Sequence, residues 1–118
     1  MFKVVILVTR KEGMSREEFV DYYESTHVPL VRSSFPQLIE YRRNYVDTSE
    51  AILSPDAVTP NCDSITEMWF EERAGYDAMV AANDHPVIGP ALANDAAQFM
   101  NLTKTSIFFV DEQGASPR

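Results

Sequence analysis

Cysteine is almost missing from this chain. Cys62 stands alone, so no internal disulfide can form and no multi-thiolate metal site can be assembled, a usage that fits a reducing, cytoplasmic setting. Glycine is sparse as well: Gly13, Gly75, Gly89 and Gly114 are too scattered to form a phosphate-cradling loop, so no nucleotide cofactor is expected. Basic residues are outnumbered, ten Lys and Arg against eighteen Asp and Glu, and the net charge of −8 repels phosphate backbones and anionic lipid heads. Neither nucleic acid nor a membrane surface is an expected partner. The apolar stretch from Val4 to Val8 is too short to span a bilayer and lacks the form of a secretory leader. Two histidines, His27 and His85, share no ligand spacing with the scattered acids, so no metal is expected. No serine sits in a glycine-rich elbow, and Cys62 has no nearby histidine in sequence, which excludes a readable nucleophilic triad.

What remains is an ordinary globular composition, 45% hydrophobic and 24% charged over 118 residues, enough for one packed domain. We read residues 1–112 as that domain and 113–118, with Gly, Ser and Pro, as a flexible tail. Phe2 to Val8 reads as a strand covered on both faces and hence central. Ser15 followed by Glu18 has capping-box spacing, and a stripe from Phe19 through Tyr22, Tyr23, His27 and Val31 extends the helix to about Arg32, with Pro29 bending or ending it. Strands are expected over 38–46, 64–70 and 103–110, and helices over 72–82 and from Pro90 to about Asn101. The 47–63 stretch, with Pro55 and Pro60, reads as a long loop of the kind used for lids or contact arms. The order is that of the split βαββαβ, ferredoxin-like α+β fold: a four-stranded antiparallel sheet with helices on one face. Because the other face stays uncovered, two chains packed sheet to sheet, with a cavity between, complete the unit.

Particular segments carry a family resemblance. Phe19-Val-Asp-Tyr22-Tyr23-Glu-Ser-Thr-His27-Val-Pro29-Leu30, Leu38-Ile-Glu-Tyr41, Ile65-Thr-Glu67-Met-Trp69-Phe70 and Asp95-Ala-Ala-Gln-Phe99 resemble the EthD-type proteins of the dimeric α/β barrel superfamily. The resemblance covers most of the chain apart from the loop 47–62 and the tail. It implies a homodimeric barrel around a small-molecule cavity. It also implies the chemistry of methylmuconolactone isomerases, of dehydratases acting on aromatic or polyketide intermediates, or of partners of ether-degrading oxygenases.

His27 is the candidate proton-transfer residue, since an imidazole acts as base and then acid near neutrality. Tyr23, one turn earlier, is placed to orient it; the alternative is a histidine that closes its helix or bonds a core carbonyl. Glu67 and Trp69 share a strand face, and we expect Arg43, on the aromatic face of strand two with Tyr41, to be the partner that a part-buried Glu67 requires. In the functional reading Arg43 binds a carboxylate or enolate while Tyr41 and Trp69 wall the site; in the structural one Arg43 and Glu67 are an interface ion pair. Asp95 reads first as a solvated or helix-capping acid, with a catalytic role as the lesser alternative.

The sequence therefore points to a cofactor-independent isomerase, cyclase or dehydratase acting by proton transfer on an aromatic, lactone or polyketide-like compound. Its ligand would be hydrophobic or carboxylate-bearing. The alternatives are a binding or accessory module that carries such a ligand unchanged, and haem binding or degradation through Trp69 and His85.

Overall fold

The computed structural model describes residues 1–114; the tail expected from residue 113 lies, beyond Gly114, outside the described residues. Strand β1 (Phe2–Val8) is followed by α1 (Arg16–Tyr22), a π-helical turn (Tyr23–His27) and α2 (Val28–Ser34). Strands β2 (Glu40–Tyr45) and β3 (Ser64–Phe70) come next, then α3 (Arg73–Ala81), a 3₁₀ turn (Ala82–Asp84), α4 (Ile88–Phe99) and β4 (Ser106–Phe109). The sheet order is β2-β3-β1-β4, with every neighbouring pair antiparallel, and the fold is ferredoxin-like. The Val/Ile-rich β1 is central, hydrogen-bonded to β3 on one side and β4 on the other. No described helix is long and apolar enough to cross a membrane.

Local chemistry explains the element boundaries. Ser15 accepts from the Glu18 amide while the Glu18 carboxylate accepts from the Ser15 amide, closing the capping box that starts α1. Pro29 does not end the helix. With no N–H to donate and a ring that would strike the carbonyl one turn back, it is accommodated by widening the preceding turn: Val28 donates to the Tyr23 carbonyl in a π turn, and α geometry resumes. The last helix begins at Ile88, two residues before Pro90, because His85 Nδ1 accepts from the amides of Val87 and Ile88, each at 3.1 Å. Gly89 fits that start because a Cβ there would lie 2.2 Å from the Asn83 carbonyl oxygen. The two outer strands are shorter than the apolar runs that encode them.

Strand register decides which side chains meet the helices. The pairs Val4–Met68 and Tyr41–Met68 put Tyr41, Arg43 and Tyr45 of β2 on the same sheet face as Ser64, Thr66, Met68 and Phe70 of β3, against the helical layer. There Phe19, Tyr23, Val31 and Phe99 pack on Val4, Val8, Met68 and Phe70, all nearly or wholly buried. Each large side chain so buried contributes about 1.5–3 kcal/mol. The Tyr23 hydroxyl bonds Thr66 Oγ1 at 2.8 Å, and Thr66 bonds Ser64 Oγ at 2.9 Å, so these buried polar groups are satisfied. Glu40, Arg42, Asn44, Glu67 and Trp69 fall on the opposite face, which no helix covers.

Candidate functional site

His27 closes the π turn, and α4 brings Asp95 to it from the other side of the helical layer. His27 Nδ1 lies 2.6 Å from Asp95 Oδ2, and the Tyr22 hydroxyl donates to Asp95 Oδ1 at 2.6 Å. Both His27 and Asp95 are buried, 7% and 8% exposed. An Asp95 carboxylate only accepts, so the His27 proton sits on Nδ1 and the lone pair on Nε2. Nε2 has no hydrogen-bond partner among the described residues. Phe99 packs its ring 4.8 Å from the His27 ring and 4.9 Å from that of Tyr23, fixing the imidazole from a third direction.

Burial lowers the His27 pKa below its ordinary 6.5, and the hydrogen bond and charge of Asp95 pull it upward without cancelling that effect. The imidazole is therefore neutral near pH 7, as a base must be. Burial, together with the bond to Asp95, pushes the Tyr22 phenol up to about 12, so Tyr22 remains a donor across the physiological range.

His27 lines a cavity of about 520 Å³ between the helices and the sheet. Its floor includes Val31, Phe35, Met68 and Met79; its mouth is edged by the exposed Val80, Leu102 and Ile107. This cavity lies on the helical side of the sheet, a different place from the one expected between two sheets. No residue of the 47–63 loop lines it, so a lid role for that loop has no support here.

The other predicted site residues do not converge on His27. Tyr23 is wholly buried behind it, its ring in a T-shaped contact with the imidazole and its hydroxyl hydrogen-bonded with that of Thr66, so Asp95 and not Tyr23 orients the histidine. The expected Arg43–Glu67 pair does not form, because the register sets Arg43 opposite Thr66 and sends Glu67 to the far face. Arg43 instead donates to both oxygens of Glu24, at 2.8 and 2.7 Å, and to the Tyr41 carbonyl, while Tyr45 donates to Glu24. Those bonds to Glu24 hold the carboxylate below its usual range despite partial burial. Tyr41 is buried with its ring under the Arg43 guanidinium, and burial raises its hydroxyl well above the ordinary phenol range. That hydroxyl approaches Tyr23 but meets no partner with hydrogen-bond geometry.

On the open face Glu67 takes Lys3 Nζ at 2.6 Å, and the Trp69 ring lies between the cations of Lys3 and Arg42, each about 5 Å from its centroid. Trp69 and His85 thus do not flank one pocket: Trp69 faces away from the helices, and the His85 nitrogen is taken by the start of α4. Among the described residues no group of three or more His, Cys, Asp and Glu is arranged to hold a metal ion. A second, polar cleft at the end of the sheet holds Arg10, Cys62 and Lys104 but neither histidine, and burial beside Asp63 raises the thiol pKa there.

Asp95, which reads in sequence first as a solvated or capping acid, is the partner of His27 that sequence reasoning did not find. The usable signal was its spacing: one turn before the core residue Phe99, it shares the face that α4 turns inward.

Comparison with known proteins agrees with this architecture. The family model described as "EthD domain" matches residues 11–103. Among solved structures, an EthD family protein of Bacillus halodurans is 18% identical, covering 96% of this chain and 100% of its own, with a TM-score of 0.65. A protein of Arabidopsis thaliana is 16% identical over 98% of this chain and 99% of its own, with a TM-score of 0.67. A dimeric protein of ferredoxin-like fold from Bacteroides fragilis is 10% identical over 94% and 95%, with a TM-score of 0.56. No curated protein sequence matches the chain.

Proposed function

The chain belongs to the EthD family, and from that premise we propose that it is a cofactor-independent enzyme of the isomerase, cyclase or dehydratase type, moving a proton on a small carbonyl compound with His27 as the base. One observation carries the reading: His27 is held at Nδ1 by a buried carboxylate while its free nitrogen belongs to a residue lining an apolar cavity. In the proposed step Nε2 takes a proton from a carbon next to the carbonyl, and Asp95 stabilises the resulting imidazolium. The same imidazolium then returns the proton to another carbon, or to a departing hydroxyl as water leaves. The apolar walls exclude solvent, which strengthens the Asp95–His27 interaction.

The test follows the carbon-bound protons of a ketone in deuterated water. Exchange accelerated by the protein and lost in His27→Gln, with the fold intact, supports His27 as base; unchanged exchange in that variant removes it.

A ligand-carrying module is the second reading, favoured by the engagement of Arg43 and Tyr41 elsewhere, which leaves no cation in the cavity to stabilise an enolate. It predicts ligands recovered unchanged and no exchange. Dimerisation through the open sheet face, as the dimeric relative of the same fold suggests, is part of the proposal. Lys3, Glu67 and Trp69 would then belong to the interface and not to the substrate site.

A further inference from the structure

The cavity that His27 lines has a wall chemistry that narrows what it can take. Among the described residues no Lys, Arg, Asp or Glu lines it; its polar side chains are His27 together with the neutral Tyr76, Asn83, Thr105 and Ser106. Three of the five methionines, Met68, Met79 and Met100, contribute to it. Thioether side chains are polarisable and adaptable, and they pack well against flat unsaturated rings. Burial grades along the cavity: His27 and Met68 lie at the closed end, whereas Val80, Leu102 and Ile107 are 44%, 56% and 49% exposed at the mouth. Residues 60–118 as a whole carry nine acids against three bases.

We infer that the occupant is an uncharged, largely apolar compound, with an aromatic or extended unsaturated body, that enters with its carbonyl or enol end toward His27 and leaves its hydrocarbon end at the mouth. A carboxylate, phosphate or other anionic group inside the cavity is disfavoured. Placed in this cavity, an anion loses its hydration and finds no cation, and a buried unpaired charge is worth far more than the gain from its apolar remainder. Of the hydrophobic or carboxylate-bearing ligand expected from the sequence, the inference keeps the first; the second rested on Arg43 facing the site, and Arg43 is held by Glu24. The orientation of the ligand rests on the reading of His27 as a base, whereas the bias against anions rests on the cavity walls alone.

The experiment uses two probes of matched shape: acetylnaphthalene, a neutral methyl ketone, and naphthoate, its anionic counterpart. Binding is read at isotope-labelled methionine methyls by NMR. The ketone is expected to shift Met68, Met79 and Met100 while leaving Trp69 fluorescence unquenched, because Trp69 lies on the other sheet face. Naphthoate is expected to bind weaker by about tenfold or more, the factor for each 1.4 kcal/mol of uncompensated desolvation. Naphthoate binding as tightly as the ketone, or cavity methyls that respond to neither probe, overturns the inference. Exchange of the ketone methyl protons in deuterated water is followed in the same samples. Selective ketone binding without exchange leaves the ligand class standing and removes the proton-transfer reading, and exchange together with equal naphthoate binding does the reverse.

Discussion

Asp95 Oδ2 sits 2.6 Å from His27 Nδ1 although 68 residues separate them in the chain. The contact links the end of a π turn to the middle of the last helix and sets both the tautomer and the orientation of the imidazole. Most of the functional expectations for this fold depend on it.

Asp95→Asn keeps the size of the side chain but removes the charge that supports an imidazolium. We expect catalytic turnover to fall by about a hundredfold or more, the range for a general base deprived of its partner. The acid limb of the pH–rate profile should move to lower pH, because Asp95 raises the His27 pKa and its loss leaves burial unopposed. A profile that keeps its midpoint would show that Asp95 does not act on His27.

The depressed His27 pKa also makes stability depend on pH. Between that depressed value and the ordinary 6.5 the unfolded chain holds a proton on His27 that the folded chain lacks. Stability therefore rises with pH through this window, is complete above it, and declines as pH falls from 6.5 toward the folded value. Melting temperatures measured from pH 8 down to pH 5 should decline less steeply for His27→Gln than for the native chain; equal slopes would assign the effect to other groups.

Arg43 holds Glu24 and packs over Tyr41, away from the cavity. Arg43→Ala should cost about 1–2 kcal/mol in urea unfolding, at the lower end for a charged hydrogen-bonded pair because Glu24 is partly solvated. Ligand affinity should stay within about twofold, since additivity holds for sites that share no contacts. A large loss of affinity with unchanged stability would return Arg43 to the substrate site.

The start of α4 is fixed by His85 and Gly89. Gly89→Ala forces a Cβ to within 2.2 Å of the Asn83 carbonyl oxygen unless the backbone shifts. A cost of about 1–3 kcal/mol is expected, as for other overpacked positions. His85→Ala removes the acceptor for two helix-start amides and should cost about 0.5–2 kcal/mol. Denaturant midpoints measure both; a neutral Gly89→Ala would mean that the 3₁₀ turn yields freely.

Much of this protein is written locally. The apolar strands, the Ser15–Glu18 capping box and the aromatic stripe of the first helix follow from periodicity and side-chain chemistry between near neighbours. Phe2–Val8 and Ser64–Phe70 emerge with the boundaries their sequences predict. Their order then allows few topologies, which is why the split βαββαβ arrangement and the family resemblance were both legible. The place of His27 on the buried stripe of the first helical segment was legible on the same grounds.

Which face of β2 goes with which face of β3 was not. A strand alternates its sides with a period of two, so a single step of register exchanges every side chain between faces, and the register between β2 and β3 is set across a long loop that gives no turn geometry to read. That step separates Arg43 and Tyr41 from Glu67 and Trp69. Asp95 was hidden for a related reason. A lone carboxylate on a helix is normally solvated, and only the packing of α4 against the π turn supplies the two donors that make its burial tolerable. The chain thus encodes its elements and their order through local chemistry, whereas the composition of the site, and the exclusion of charge from its cavity, arise only when tertiary packing brings distant segments together.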